Sequence, residues 1–279
     1  MDGRVIPEAY GRVTALALDP IEKKPLNRFY PGSYIVSVGG YGCNLACPFC
    51  QNHDISLSEY KATGLADAGF MRRTAQGDEG YAAWEDIFPR YEIYTPDELA
   101  DICLRYKDNG NIGLAFTYNE PTLLPEFIAD TARLIRKEGM KTVLVTNGSA
   151  TDETLDKLLP LTDAMNIDLK SFDRDYYRRV LHGDLDTTLH FIGRAAAACH
   201  VEVTTLIIPG ENDSDEEMDE ISAWLEGLGA SVGRDIPLHI SRFFPRSAYS
   251  DRSPTDVARV YELADIARKH LKYVYEGNV

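Results

Sequence analysis

Three shortages shape the reading of this 279-residue chain. No run of roughly 18 uninterrupted apolar residues occurs, as a membrane-spanning helix requires. Nor does the chain open with the basic start and apolar middle of a secretory signal, so it reads as cytoplasmic with no membrane partner. Positive charge is also scarce: 29 Lys and Arg stand against 44 Asp and Glu, a formal net charge of −15. Affinity for phosphate backbones comes from clustered Lys and Arg, so a general nucleic-acid binder is excluded. Cysteine is sparse and odd in number. Cys43, Cys47 and Cys50 fall within eight consecutive residues, while Cys103 and Cys199 stand alone. That is a poor plan for a disulfide framework and a better one for metal in a reducing compartment.

What is present is enough for one substantial core. Hydrophobic residues make up 44% and charged residues 26% of the chain, which argues against disorder of the whole. From Thr95 onward, short apolar runs alternate with amphipathic stretches. The runs are Ile112 to Tyr118, Thr142 to Thr146, Ala164 to Leu169, Val201 to Ile208 and Pro237 to Phe244, with Tyr34 to Val38 adding an earlier one. Each is rich in Val, Ile, Leu or aromatics and flanked by turn residues, as buried strands are. Helix starts are marked by Thr95-Pro96-Asp97-Glu98, Thr151-Asp152-Glu153-Thr154, Ser214-Asp215-Glu216-Glu217 and Ser253-Pro254-Thr255-Asp256, cap residues followed by carboxylates or proline. Gly110 and Gly139 sit where helices would stop.

Strands and helices alternating at this rhythm predict parallel strands joined by helical crossovers, because a tight hairpin does not join parallel neighbours. About six units are countable, fewer than the eight of a closed barrel. The predicted fold is therefore α/β, a partial (β/α)6 barrel of parallel strands, with a flat doubly wound sheet as the other arrangement of the same elements. Residues 1–33 read as a lead-in packed on the core and 34–279 as one domain. Residues 57–94 read as a loop insertion, because Gly64 to Gly80 lacks apolar periodicity.

The cysteines form the pattern C-x3-C-x2-C in Gly42-Cys43-Asn44-Leu45-Ala46-Cys47-Pro48-Phe49-Cys50, directly after a predicted strand. Such a loop lies at the end of the strand where α/β active sites are built. Three local thiolates would leave one iron of a 4Fe-4S cluster open, since clusters used only for electron transfer take four protein ligands. Two other readings fit the same residues: a zinc ion completed by His53, or a redox-only cluster completed by Cys103 or Cys199.

The loop resembles the signature of the radical S-adenosylmethionine (SAM) superfamily, C-x3-C-x-aromatic-C, with Phe49 as the aromatic. Within it the similarity is to the pyruvate formate-lyase activating enzyme-like group and, more finely, to AmmeMemoRadiSam-system radical SAM enzymes. The finer match rests on Tyr10-Gly11-Arg12-Val13, Asp19-Pro20-Ile21-Glu22-Lys23-Lys24-Pro25-Leu26, Phe29-Tyr30-Pro31-Gly32-Ser33 and Cys47 to Asn52. It continues through Phe116 to Thr122, Asn166 to Lys170 and His200 to Gly210.

The resemblance implies one 4Fe-4S cluster on Cys43, Cys47 and Cys50, with SAM chelating the fourth iron. Reductive cleavage would then release a 5′-deoxyadenosyl radical that abstracts hydrogen from a substrate. It also implies cofactor contacts. Phe49 belongs to the signature loop, and Asn119 and Glu120 take the place of a Gly-Gly-Glu-like motif that receives the SAM amino group. Thr146 and Asn147 form a SAM-adjacent loop, Ile208 packs the adenine and Thr205 faces the same cavity. Asp168 and Lys170 alternate with apolar neighbours, so they share one strand face and are expected to contact SAM or to pair with each other. His239, Ser241, Arg242 and Phe243 lie on the sixth strand, where those facing inward are candidates for the substrate end of the pocket, His239 reading mainly as a core residue. Val145 replaces an Asp that helps bind a monovalent cation in pyruvate formate-lyase activating enzyme, which argues against that cation here. Only nine residues precede Tyr10, none of them Cys, so no accessory metal site is expected from that segment.

The expected activity is thus a radical SAM oxidoreductase resembling glycyl-radical activating enzymes. Its substrate would be a glycine in a partner polypeptide, another peptide or a small molecule, and its electrons would come from a reductant such as flavodoxin or ferredoxin. An iron-sulfur electron-transfer or metal-sensing module without SAM chemistry is the competing reading.

Overall fold

The computed structural model describes residues 7–56 and 90–279, so the expected insertion lies outside it except for residues 90–94. Eight strands form one sheet: β1 (Ala15–Pro20), β2 (Tyr34–Gly39), β3 (Asn111–Phe116), β4 (Lys141–Thr146), β5 (Ala164–Asp168), β6 (His200–Ile207), β7 (Leu238–Arg242) and β8 (Val274–Gly277). Their spatial order follows the chain without a reversal. β2 through β8 pair in parallel and β1 joins β2 antiparallel. A short antiparallel pair, Arg12–Val13 with Glu92–Ile93, lies apart from this sheet.

Six helices make the crossovers: α1 (Pro96–Arg105), α2 (Pro125–Lys137), α3 (Asp152–Leu158), α4 (Leu185–Ala198), α5 (Asp215–Val232) and α6 (Val257–Ala267). Right-handed crossovers in an unreversed order place every helix on the same face, and α1 packs on α2, α2 on α3, α4 on α5 and α5 on α6. A doubly wound sheet needs a reversal of strand order. The open, one-sided arrangement is that of a partial barrel. Among the described residues, no helix is long and apolar enough to cross a membrane.

Local sequence explains most of the helix starts. Thr95 and Glu98 form a reciprocal capping box with Pro96 at the first helical position, and Thr151 and Ser214 accept from the backbone N–H of Thr154 and Glu217. The start expected at Ser253 is corrected: α6 begins at Val257, capped by Asp256. Thr255 is held out of the helix, its hydroxyl donating to Ile207 O at 2.6 Å while its carbonyl accepts from Arg242 Nε at 2.7 Å. The six expected strands are all present, with ends displaced by one or two residues. β1 and β8 add two more.

The segment after β1 enters the barrel at the N-terminal ends of its strands. There Ile21, Leu26 and Phe29 bury themselves against Ile35, Ala115, Val143 and Ala164, inward positions of β2 to β5. Backbone groups carried inside must find partners, and one carboxylate partners two of them. Glu202, fully buried on β6, accepts from Asn27 N–H at 3.0 Å and Arg28 N–H at 2.7 Å. His200 Nε2 and His239 Nε2 lie 2.9 and 2.6 Å from its two oxygens. Asn166 Nδ2 donates to Pro25 O at 2.9 Å. Burial opposes ionisation of Glu202, but the donors from His200, His239 and Arg28 prevail and bring its pKa down to about 2.

A carboxyl whose folded pKa is depressed adds stability above its unfolded value, and that stability is lost as pH falls through the folded one. Denaturant titration should therefore show the wild-type protein losing about 3 kcal/mol more stability than Glu202→Gln between pH 4.5 and 2. Glu202→Ala, which removes the acceptor of two backbone N–H groups and the partner of His200 and His239, should cost about 3 kcal/mol at neutral pH.

Candidate functional site

At the C-terminal ends of the strands lies a cavity of about 320 Å³, a size that suits a cofactor. The loop after β2 brings Cys43, Cys47 and Cys50 to its wall, with Phe49 beside them. This loop has little regular structure, and neighbours tie it down. Gly42 N–H donates to Ile55 O at 2.8 Å, Ala46 N–H to Leu181 O at 2.9 Å and Tyr249 N–H to Pro48 O at 3.2 Å. Leu181 ends a π-helical turn over Tyr177–Leu181, a form often found at functional sites. The following Gly183 lies so close to the loop that a Cβ there would meet Leu45 Cδ2 at 2.5 Å. From the other side, Phe49 packs against Tyr249 with ring centroids 6.0 Å apart.

The thiols differ in surroundings. Burial pushes Cys47 up to about 12, with Lys170 pulling the other way. Cys50 Sγ lies 3.2 Å from Ser56 Oγ, and Leu45 N–H donates to Cys43 Sγ at 3.4 Å. Cys103 and Cys199 are buried and do not line the cavity. Cys199 donates to Ala195 O within its own helix. His53 does not line the cavity either. Among the described residues, no three His, Cys, Asp or Glu side chains are gathered as a single metal ion would require. A structural zinc takes four protein ligands, whereas a cubane can be held by three thiolates, each on a different iron. The donor set fits a 4Fe-4S cluster with three protein ligands.

The strand ends carry the other expected residues. Glu120, 2% exposed, has both oxygens engaged. Thr122 N–H and the Thr122 and Thr146 hydroxyls donate to Oε1 at 3.0, 2.7 and 2.7 Å, and Asn147 N–H donates to Oε2 at 2.8 Å. Burial outweighs these donors and pushes its carboxyl up. Asn119 accepts from Gly40 N–H at 2.9 Å and donates to Gly42 O at 3.2 Å, so it fixes the cysteine loop. Asn147 Nδ2 reaches Asn44 Oδ1 at 2.8 Å and Cys43 Sγ at 3.5 Å, while Asn44 Nδ2 donates to Ser149 O. Asp168 and Lys170 both line the cavity and pair at 2.7 Å. Burial would lower Lys170, but Asp168 and Cys47 hold its pKa well above the usual lysine range.

Thr205 and Ile208 are placed elsewhere. Side chains alternate along a strand, and on β6 it is Thr204 and Leu206 that line the cavity. Thr205 is fully buried on the other face, its hydroxyl donating to Leu169 O at 3.0 Å. Ile208 is also fully buried, its N–H held by Asn212 Oδ1 at 2.7 Å. His239 binds Glu202 away from the cavity. Val145 lines the cavity with an apolar side chain. Of the sixth-strand candidates, Ser241 lines the cavity, while Lys23, Lys24, Asn52, Tyr118 and Asn278 line it without having been singled out from the sequence. Lys23 and Lys24 fall in the matched Asp19 to Leu26 block, and Tyr118 in the Phe116 to Thr122 block. Nothing in the sequence marks Asn278.

A family model described as the Radical SAM superfamily matches residues 37–221. The chain is 36% identical over 281 residues to an uncharacterized protein, MJ0808, of Methanocaldococcus jannaschii, covering 100% of this chain and 74% of that protein. It is 28% identical over 193 residues to the pyruvate formate-lyase 1-activating enzyme of Escherichia coli, 67% of each. Among solved structures, SuiB of Streptococcus suis bound to S-adenosylmethionine matches with a TM-score of 0.55 at 14% identity, over 85% of this chain and 48% of SuiB. With a three-thiol loop at the strand ends and a match spanning most of the barrel, this chain belongs to the radical SAM superfamily.

Proposed function

We propose that the protein is an enzyme that holds one 4Fe-4S cluster on Cys43, Cys47 and Cys50 and binds SAM beside it, residues 34–279 acting as one unit. One observation carries the reading: the three loop thiols border a single cavity while Cys103 and Cys199 are buried outside it. Cys43, Cys47 and Cys50 would hold the cluster, which when reduced would supply the electron for cleavage of SAM and hence radical chemistry for hydrogen abstraction. The chain's own residues do the positioning. Phe49, packed on Tyr249, fills the wall behind the loop. Glu120 fixes the turn carrying Thr146 and Asn147. Asp168 and Lys170 offer one charge of each sign to a zwitterionic amino-acid group.

The likeness to activating enzymes supports hydrogen abstraction from a substrate that is a protein, a peptide or a small molecule, with electrons from a small redox protein of the flavodoxin or ferredoxin type in the cytoplasm. Relatives named as activating enzymes are 23–28% identical to this chain, which supports the reaction class without fixing a glycine in a partner polypeptide as the substrate.

Anaerobic reconstitution with iron and sulfide, then addition of dithionite and SAM, should yield 5′-deoxyadenosine. Alanine at Cys43, Cys47 or Cys50 should remove both cluster absorbance and product. Alanine at Cys103 or Cys199 should leave both in place; loss of the cluster in either variant would favour a fully ligated, redox-only centre. Glu120→Gln should load its cluster normally yet bind SAM about tenfold more weakly, as the Asn147 turn loosens. Unchanged SAM affinity in calorimetry would reduce Glu120 to a structural role.

A further inference from the structure

The floor of the cavity carries a cation with spare bonding capacity. Asp19 on β1 is buried and receives three donors: Lys24 Nζ at 2.8 Å and the Tyr118 hydroxyl at 2.7 Å on Oδ2, and Lys23 Nζ at 3.1 Å on Oδ1. Burial opposes its ionisation, but these donors hold its carboxyl far below the usual carboxylate range. One carboxylate thus faces two ammonium groups. Lys23 is 66% exposed and water solvates it, whereas Lys24 is only 3% exposed.

An ammonium has three donors. That of Lys24 makes one good bond, to Asp19, and a long contact of 3.5 Å to the Tyr118 hydroxyl. The Tyr118 ring lies on that same side, its centroid 4.6 Å from the ammonium. Tyr118 takes this position with φ at 73°, a left-handed backbone that is costly for a bulky residue and clusters at functional sites. Asn52 Nδ2 holds its carbonyl at 2.7 Å. A buried charge without full solvation is expensive, and Lys24 lines the cavity together with neutral Ser241 and Asn278. Of the other two lysines lining the cavity, Lys170 is already matched one-to-one by Asp168, and Lys23 stays largely in water. An anion arriving at the floor would find Lys24 able to share its charge, because Asp19 keeps Lys23 and Tyr118.

We propose that Lys24 anchors the substrate, a small molecule bearing a carboxylate or phosphate group, on the cavity floor formed by the segment after β1. The proposal rests on the radical SAM reading above and deepens it to a substrate class. Lys24 is then a specificity-determining residue, the Tyr118 ring and Asp19 hold its ammonium in place, and Ser241 and Asn278 supply neutral polar groups around the anion.

Isothermal titration of the reconstituted holoprotein with SAM bound tests this, using succinate, inorganic phosphate and the uncharged succinamide as probes. Saturable binding of succinate or of phosphate, with none of succinamide, is the expected result, and the anion that binds identifies the group. Lys24→Met should weaken that binding by about tenfold or more and Lys24→Arg should restore part of it. Saturation by neither anion below about 50 mM, equal binding of succinamide, or unchanged affinity in Lys24→Met would overturn the anchor. Should Lys24→Met fail to load its cluster, the contrast between succinate and succinamide in the wild-type protein decides alone. Cleavage of SAM by the same wild-type preparation separates the two levels. Cleavage without anion binding removes the anchor only, and absence of cleavage removes the radical SAM reading beneath it.

Discussion

A loop that presents three thiols to one cofactor cannot also spend its backbone on regular hydrogen bonding, so its rigidity must come from outside. Nearly everything at the C-terminal face of this barrel answers that constraint. The turn after β3 contributes Asn119, bonded to Gly40 and Gly42. The turn after β4 contributes Asn147, bonded beside Cys43. The π-turn after β5 holds Ala46 and the segment after β7 holds Pro48. Four separate strand ends therefore fix nine residues of loop. Glu120 couples two of those ends, because its carboxyl gathers Thr122 from one and Thr146 and Asn147 from the other. Preorganisation of this kind lets a cofactor be held without the protein rearranging.

The opposite end of the barrel solves a different problem. An open sheet of eight strands leaves its interior accessible from below, and the chain closes it with its own segment after β1. Apolar Ile21, Leu26 and Phe29 fill the space, while Glu202, His200, His239 and Asn166 satisfy the polar groups carried in with them. The same segment delivers Lys24 to the cavity above. The plug and the floor of the site are thus one piece of chain, which links barrel stability to the shape of the substrate end.

Much of this was legible in the sequence, for identifiable reasons. The six inner strands are short apolar runs with clear turn signals, and the caps at Thr95, Thr151 and Ser214 act locally, so no tertiary knowledge was needed. The cysteine loop was readable because its spacing itself encodes ligand count. The two edge strands were not. β1 exposes much of its surface and ends in Pro20, and β8 has only four residues, so neither shows a buried run. Thr205 was assigned to the wrong face because a strand's alternation gives two faces without saying which one looks inward. Asn119 and Glu120 were expected at the strand ends and line the cavity there, but the bonds of Asn119 to Gly40 and Gly42 and of Glu120 to Thr146 and Asn147 join residues distant in sequence. Lys24 carried no local signal beyond its place in a matched block, since its meaning depends on Asp19 and Tyr118 meeting across the barrel.

The central claim is one unfilled corner on a three-thiol cubane. Mössbauer spectroscopy of the 57Fe-reconstituted wild-type protein, with and without SAM, tests it most directly. The account predicts that one iron in four changes its isomer shift when SAM is added, as its coordination rises, while the other three do not. A spectrum with four equivalent, fully thiolate-ligated irons that SAM leaves unchanged would contradict it.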